Sequence, residues 1–260
     1  MDLGLRGRAA FVAASSRGMG LAIARTFAAE GADVAMCARD AEALSAAAES
    51  VRAFGTRVVA HPADLTDAAQ ISDVVVRAAE DLGRLDCLIV NAGGPPAGTF
   101  EGLDDEAWNA AFDLIMLSAV RLVRAALPHL RQSDAASIVF VSSLVARQPI
   151  TGLTLSNALK IGMAGLAKSL AVEFAPAIRV NTLLPGHIAT DRAISLARGR
   201  ATGGRSVEDV LAETATAIPA GRYGEPDEFA RVAVFVSSPA ASYVNGATIP
   251  IDGGIIRATL

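Results

Sequence analysis

Two short stretches of the chain carry residues whose types and spacing suit the handling of a phosphorylated nucleotide. In the first, Gly18 and Gly20 fall within Ala14-Ser15-Ser16-Arg17-Gly18-Met19-Gly20. The apolar run Ala9 to Ala13 precedes it, and Leu21, Ile23, Ala24 and Phe27 follow at helical spacing. A strand, a tight turn and a helix in that order bring backbone N–H groups and the positive end of the helix to a pyrophosphate, with glycine where a side chain would block the approach. Ser15, Ser16, Arg17, Gly18 and Met19 are the candidate contacts. Position 14, an earlier glycine in the full pattern, is Ala, and a tight turn with no ligand explains the same residues. The second stretch is Cys37-Ala38-Arg39-Asp40 at the end of a second strand. An acid there would bond the ribose 2′-hydroxyl of NAD, whereas an arginine nearby accommodates the 2′-phosphate of NADP. Ala38 stands where the acid is expected, Arg39 follows, and Arg17 adds a second positive charge. NADP(H) is therefore expected over NAD(H), with Asp40 read as the N-cap of the next helix. Two solvated arginines are the plain alternative.

The elements that must position these residues alternate along the whole chain. Strands are expected at Ala9 to Ala13, Asp33 to Ala38, Arg57 to His61, Leu85 to Val90, Ser137 to Val141, Ile178 to Leu183 and Ala247 to Ile251. Helices are expected from the turn at Gly20 to Gly31, Ala41 to Phe54, Thr66-Asp67 to about Leu82, about Glu106 to Leu130, about Gly152 to Phe174 and Glu225 to Val236. That rhythm predicts an α/β fold, a doubly wound parallel sheet of about seven strands with helices on both faces. Residues 1–260 read as a single domain with a mobile flap at about 187–217, a stretch rich in polar and small residues. In such sheets ligands bind beyond the carboxyl ends of the strands, where strand order reverses. The loops at Ser15, Arg39, Asp64, Asn91, Ser143 and Pro185 all lie there, so one cleft is expected.

Composition limits the partners. A 52% hydrophobic, 19% charged chain can bury a large core, and a net charge of −4 offers no cationic field to nucleic acid or anionic membranes. No apolar run approaches the ~18 residues of a membrane span, and Asp2, Arg6 and Arg8 do not suit a secretory start. Cys37 and Cys87 sit in apolar runs and read as small core residues. A cytoplasmic protein with no metal site is expected. Only two of the 23 basic residues are lysine, Lys160 and Lys168, and there are only two tyrosines, Tyr223 and Tyr243.

Taken in order, Ala14-Ser15-Ser16-Arg17-Gly18-Met19-Gly20, Ala63-Asp64-Leu65, Asn91-Ala92-Gly93, Ser142-Ser143, Lys160, Asn181, Pro185-Gly186, Thr190, Ile218-Pro219, Glu225-Pro226 and Tyr243 through Gly246 to Asp252-Gly253-Gly254 resemble a known family. It is the short-chain dehydrogenases/reductases, and within them the 3-oxoacyl-[acyl-carrier-protein]-reductase-like branch. The resemblance spans nearly the whole chain and implies a Rossmann-type domain, a nicotinamide cofactor and a homotetramer. Apolar residues on more than one face of the two long helices, including Leu114, Leu117, Ile161 and Leu166, fit such an assembly. The resemblance further implies that Asp64 and Leu65 contact the adenine and that Asn91, with Ala92 and Gly93, lies beside the cofactor. Ile188 and Thr190, after Pro185-Gly186, would hold the carboxamide. Capping of a turn by Asp64 and of backbone groups by Asn91 are the structural alternatives.

The catalytic positions depart from the family. Its pattern places a serine thirteen residues before a tyrosine and a lysine four after it. With Lys160, a residue that would also hold the cofactor, as the lysine, the serine is Ser143 and the tyrosine position is Ser156. The family's asparagine, seven residues after the tryptophan that would be Trp108, falls on Ile115. Reduction of a carbonyl needs a proton at the developing alkoxide, and a phenol with pKa of about 10, lowered by an ammonium, supplies it near neutral pH. A serine hydroxyl is a far poorer acid, and losing general-acid catalysis costs about 10²–10⁴ in rate. Ser143, Lys160 acting through Ser156 or a water, His187, or an acidic group on the substrate itself are the candidate proton sources. The leading expectation is an NADP(H)-dependent oxidoreductase interconverting a small carbonyl compound and its alcohol by an altered proton route. A cofactor-holding sensor or partner without catalysis, and a non-redox enzyme using the same cleft, are the alternatives.

Overall fold

A computed structural model describes residues 1–258. The described residues form seven strands: β1 (Ala9–Val12), β2 (Asp33–Ala38), β3 (Val58–Pro62), β4 (Cys87–Val90), β5 (Ala136–Val141), β6 (Ile178–Pro185) and β7 (Thr248–Ile251). All pair in parallel in the order β3-β2-β1-β4-β5-β6-β7. Parallel pairing requires crossovers, and the sequence supplies a helical one between each pair. These are α1 (Gly18–Ala29), α2 (Ala41–Arg52), α3 (Ala68–Leu82), α4 (Asp105–Phe112), α5 (Ser118–Leu130), α6 (Thr154–Glu173), α7 (Asp191–Arg200), α8 (Val207–Ala217) and α9 (Pro226–Ser237). Asp40, Asp67 and Asp104 cap α2, α3 and α4 with their side chains.

The strands are apolar at nearly every position because both faces of the sheet are covered. Phe11, Leu88, Ile138 and Phe140 point to one side, where α3, α5 and α6 contribute Val74, Leu122 and Met163. Val12, Ile89, Val139 and Met36 point to the other, against Ile23 and Phe27 of α1, Leu44 of α2 and Phe229 of α9. The period of two along each strand thus divides one hydrophobic run between two cores. Each fully buried side chain of this size contributes about 1.5–3 kcal/mol.

Strand order reverses between β1 and β4, and the two ends are tied there by Asn91, whose Nδ2 donates to Ala13 O at 3.1 Å and to Ala14 O at 3.3 Å. Two elements differ from the sequence expectation. The long helix after β4 is interrupted by a π-turn at Asp113–Leu117 between α4 and α5. The segment expected as a flap is largely helical, as α7 and α8. Its reason was present in the sequence: Ser206 accepts from Asp209 N while the Asp209 carboxylate accepts from Ser206 N, a capping box that starts α8. Among the described residues no helix is long and apolar enough to cross a membrane.

Candidate active site

A cleft of about 650 Å³ runs along the carboxyl ends of the strands, across the reversal. At its centre is the turn after β1. A Cβ on Gly20 would stand 2.2 Å from Ala14 O, so no other residue allows α1 to pack so close to β1. Gly18 (φ 56°) takes the left-handed conformation glycine accepts freely, and Ala14 (φ 51°) takes it against its preference. Ser16, Arg17, Gly18 and Met19 line the cleft. Ser15 does not. It is buried, its Oγ accepting from Cys37 N at 3.2 Å, and it fixes the turn to β2. The first turn of α1 has neither a side-chain cap nor an acidic residue, so its N–H groups remain open to an anion.

Arg39 lies exposed on the cleft at the end of β2. Asp40 beside it is engaged as a cap, accepting from Ala43 N at 3.0 Å. Asp64 lines the same end, but its Oδ1 already accepts from Thr66 N at 2.9 Å and Thr66 Oγ1 at 2.8 Å, while Leu65 presents an apolar surface. Asn91, Ala92 and Gly93 form the floor. A Cβ on Gly93 would meet nothing within 4 Å, so the floor is open above that residue. An extended groove with an uncapped helix start, side-chain-free backbone and Arg17 and Arg39 on its lining has the features that a dinucleotide needs.

The opposite end holds the candidate chemistry. Ser143 lies two residues beyond the end of β5, and its Oγ accepts from Val145 N at a long 3.4 Å. Ser156 and Lys160, one helical turn apart on α6, present the same face to the cleft. The Lys160 side chain is buried and donates from Nζ to Val141 O at 3.2 Å, and Ser142 Oγ holds the backbone of Lys160 through its carbonyl at 2.8 Å. Burial, reinforced by the positive charge of Arg192, brings the ammonium pKa down to about 8. Ile115 lies within the π-turn, fully buried in the core with Leu155 and Leu159, so an apolar contact replaces any polar relay at this position.

Across the cleft, Pro185, Gly186, Ile188 and Thr190 form the rim. Gly186 is required by packing, because a Cβ there would stand 2.6 Å from Asp252 Cα. His187 stacks edge-on against Tyr223, with ring centroids 5.8 Å apart. Its burial, helped by the charge of Arg200, pushes its pKa below the usual 6.5, so the ring is neutral at pH 7. Sequence reasoning passed over Gly94 and Val145, which also line the site, placed Leu114 on an assembly face, and read Arg192, Arg198, Arg200 and Arg205 alike, as contacts for an anionic substrate or, more simply, as charges that keep the segment soluble. Only the fold distinguishes Arg192 from Arg198 and Arg200. The buried Cys37 and Cys87 thiols, pushed up to about 12 by desolvation, take no part.

A nucleotide-binding sheet whose cleft ends in a serine and a buried lysine defines a class of oxidoreductase, and comparison with known proteins names it. A family model described as Enoyl-(Acyl carrier protein) reductase matches residues 13–256. Oxidoreductase UcpA of Salmonella typhimurium is 36% identical over 255 residues, covering 96% of this chain and 95% of that protein. The chain belongs to the short-chain dehydrogenase/reductase family. Among solved structures, L-sorbose reductase from Gluconobacter frateurii complexed with NADPH and L-sorbose superposes with a TM-score of 0.94 at 33% identity, over 99% of this chain and 100% of that one. The NADPH-bound short chain oxidoreductase from Pseudomonas aeruginosa PAO1, containing an atypical catalytic center, gives a TM-score of 0.89 at 36% identity, over 97% and 98%.

Proposed function

We propose that the protein is an NADP(H)-dependent oxidoreductase that interconverts a small carbonyl compound and its alcohol without a catalytic tyrosine. The observation that carries this is the presence, in one cleft, of Arg39 at the end of β2 and Arg17 at the start of α1 together with Ser143, Ser156 and Lys160. Both NADPH-bound relatives support the cofactor. Ser16, Gly18, Met19 and the start of α1 would take the pyrophosphate, and Arg17 and Arg39 the 2′-phosphate. Asp64 and Leu65 would border the adenine, and Asn91, Ala92 and Gly93 the middle of the groove. Lys160, Ile188 and Thr190 would hold the nicotinamide end beside Pro185 and Gly186. When bound, the nicotinamide supplies or accepts the hydride.

In this reading the proton comes from this chain or from water rather than from an acidic group on the substrate. Ser143 donates a hydrogen bond to the carbonyl oxygen. Lys160, with its pKa near 8, holds a proton at neutral pH yet releases it more readily than an exposed lysine, and Ser156 or a water beside it carries that proton to the oxygen. His187, neutral at pH 7, serves as a hydrogen-bonding wall rather than as the acid. The exposed Phe112, Ile161 and Val172 on α4 and α6 support assembly of copies as a homotetramer.

Calorimetric titration with NADPH and NADH tests the reading. NADPH should bind roughly tenfold or more tightly, the scale of a charge-assisted contact to the extra phosphate, and Arg39→Asp should abolish that preference. Absence of NADPH binding would sink it. The full burial of Ile115 favours a second reading, a protein that holds NADPH and signals or pairs without turnover. It is distinguished by tight cofactor binding with no hydride transfer to any of a broad ketone panel.

A further inference from the structure

The Lys160 end of the cleft contains a second cation that the reaction as described does not use. Arg192, the second residue of α7, reaches across to the loop after β4 and donates from Nη2 to Pro95 O at 2.6 Å. Its Nε lies 2.8 Å from the point a Cβ on Gly94 would occupy, so the guanidinium rests directly on that backbone. It is half-buried, and burial lowers its pKa. Among the described residues no carboxylate pairs with it. The acids of the cleft lining are Asp40, Asp64 and Asp191. The first two are held as caps at the Arg39 end, and Asp191 faces Arg17 at 3.8 Å. The same lining also holds neutral residues, among them Ser143, Ser156, Ile150, Leu153, Ala193 and Leu196.

Two cations withdrawn from water beside each other, with one carbonyl oxygen each for a partner, are an unbalanced arrangement unless a ligand brings negative charge. The cofactor's phosphates have their own cations, Arg17 and Arg39, and the open start of α1. We propose that Arg192 anchors a carboxylate on the substrate, so that the enzyme acts on oxo acids and the corresponding hydroxy acids in preference to neutral ketones. This rests on the reductase reading above. One guanidinium fork matches one carboxylate in bidentate geometry. The remaining positive charge, on Lys160, then faces the negative charge that develops on the carbonyl oxygen during reduction. Pro95 O holds the guanidinium over the cleft until the stronger, charged acceptor replaces it.

The test compares wild type with Arg192→Leu, Arg192→Lys and Gly94→Ala, the last displacing the guanidinium without removing its charge. NADPH affinity is measured first by calorimetry. Rates of NADPH consumption are then measured with pyruvate, acetoacetate and levulinate, and with their methyl esters. The series varies the distance between carbonyl and carboxylate while the ester removes the charge. In wild type at least one acid should exceed its ester in kcat/KM by roughly ten- to a hundredfold, the scale of a charge-assisted pair. Arg192→Leu should erase that advantage, chiefly through KM, and leave NADPH affinity unchanged, while any change in kcat that follows from losing a positive charge near Lys160 falls on acid and ester alike. Arg192→Lys should keep part of it, and Gly94→Ala should diminish it. The proposal is overturned if no acid outperforms its ester, or if Arg192→Leu leaves the acid-to-ester ratio of kcat/KM intact. It is equally overturned if that variant weakens NADPH binding while the acid-to-ester ratio holds, since Arg192 would then serve the cofactor's phosphates. A wild-type protein that fails to bind NADPH removes the reductase reading itself, and shows it before any substrate is added.

Discussion

The two ends of the sheet treat buried charge in opposite ways. At the amino end, Asp86 enters β4 with its carboxylate fully buried. Arg84 donates to it from Nε and Nη2, both at 2.7 Å, Ser133 Oγ at 2.6 Å and Ala9 N at 2.8 Å. Arg8 stands 3.4 Å away and reaches Asp134 at 2.7 Å. At the carboxyl end Lys160 and Arg192 are withdrawn from water with, among the described residues, only Val141 O and Pro95 O as acceptors. The first arrangement joins β1, β4 and the start of β5, so its charge is retained because it holds the fold together. The second contributes nothing comparable to stability, and its charge is retained for what enters the cleft. Buried charge marks function only where its neutralising partner is missing from the protein.

Lys160→Met should give the largest effect and divide the two roles. Turnover is expected to fall by about 10²–10⁴ with the loss of the proton source. The same change should stabilise the protein. A drop from 10.5 to about 8 is a penalty on the charged native form, on the order of 3 kcal/mol at pH 7. The sign follows from linkage: between pH 8 and about 10.4 the unfolded chain binds a proton that the native chain has lost, so wild-type stability rises with pH across that window. Denaturant unfolding of both proteins from pH 7 to 10 should show the variant more stable at pH 7 and the difference closing towards pH 10. A variant less stable than wild type at pH 7 would mean that Lys160 is a structural residue.

Asp86→Ala should show the reverse signature. Removing the carboxylate leaves Arg84, Ser133 and Ala9 N without their acceptor. About 3 kcal/mol of stability should be lost, the low end for a buried pair because Arg84 is 45% exposed. Specific activity of the folded fraction should be unchanged. Burial alone would raise the carboxyl's pKa, but the bonds from Arg84, Ser133 and Ala9 N outweigh it and hold it below the usual 3.8. Its contribution is therefore complete above about pH 4 and declines as pH falls through the depressed native value. Urea midpoints at pH 7 and pH 3 should differ less in the variant than in wild type.

This contrast also marks what the sequence could disclose. Period-two strands such as Ile138-Val139-Phe140 and caps such as Asp40 and Asp67 act within a few residues, so the alternating fold was readable from the chain. The residues along the cleft were readable because the turn at Gly18 and the frame set by Lys160 are local or carried by family resemblance. Ser15 was assigned to the cleft because its neighbours belong there, and only the pairing of β1 with β2 shows its hydroxyl turned to Cys37. Asp86 and Arg192 were not singled out. The importance of each lies in partners 77 and 97 positions away, Ala9 and Pro95, or in the lack of a carboxylate one. The helices of 191–217 were missed for a simpler reason: their glycines and charges suggested a loop, while the Ser206 to Asp209 box signalled a helix.

Ala14→Gly is the smallest test and bears on whether the cleft end tolerates strain as well as unpaired charge. Ala14 is the one non-glycine residue with positive φ among those described. A left-handed alanine costs about 1–2 kcal/mol. Glycine removes that cost but frees the unfolded chain, returning about 0.4–1 kcal/mol of it. The net should be a gain of about 0.5–1 kcal/mol, seen as a rise of roughly 1–4 °C in Tm. Because the carbonyl of residue 14 still accepts from Asn91 and still faces Gly20, NADPH affinity should be unchanged. A gain in stability with a loss of affinity would mean that the alanine methyl itself shapes the phosphate turn, and strain would then join Lys160 and Arg192 as a cost carried at this end for binding.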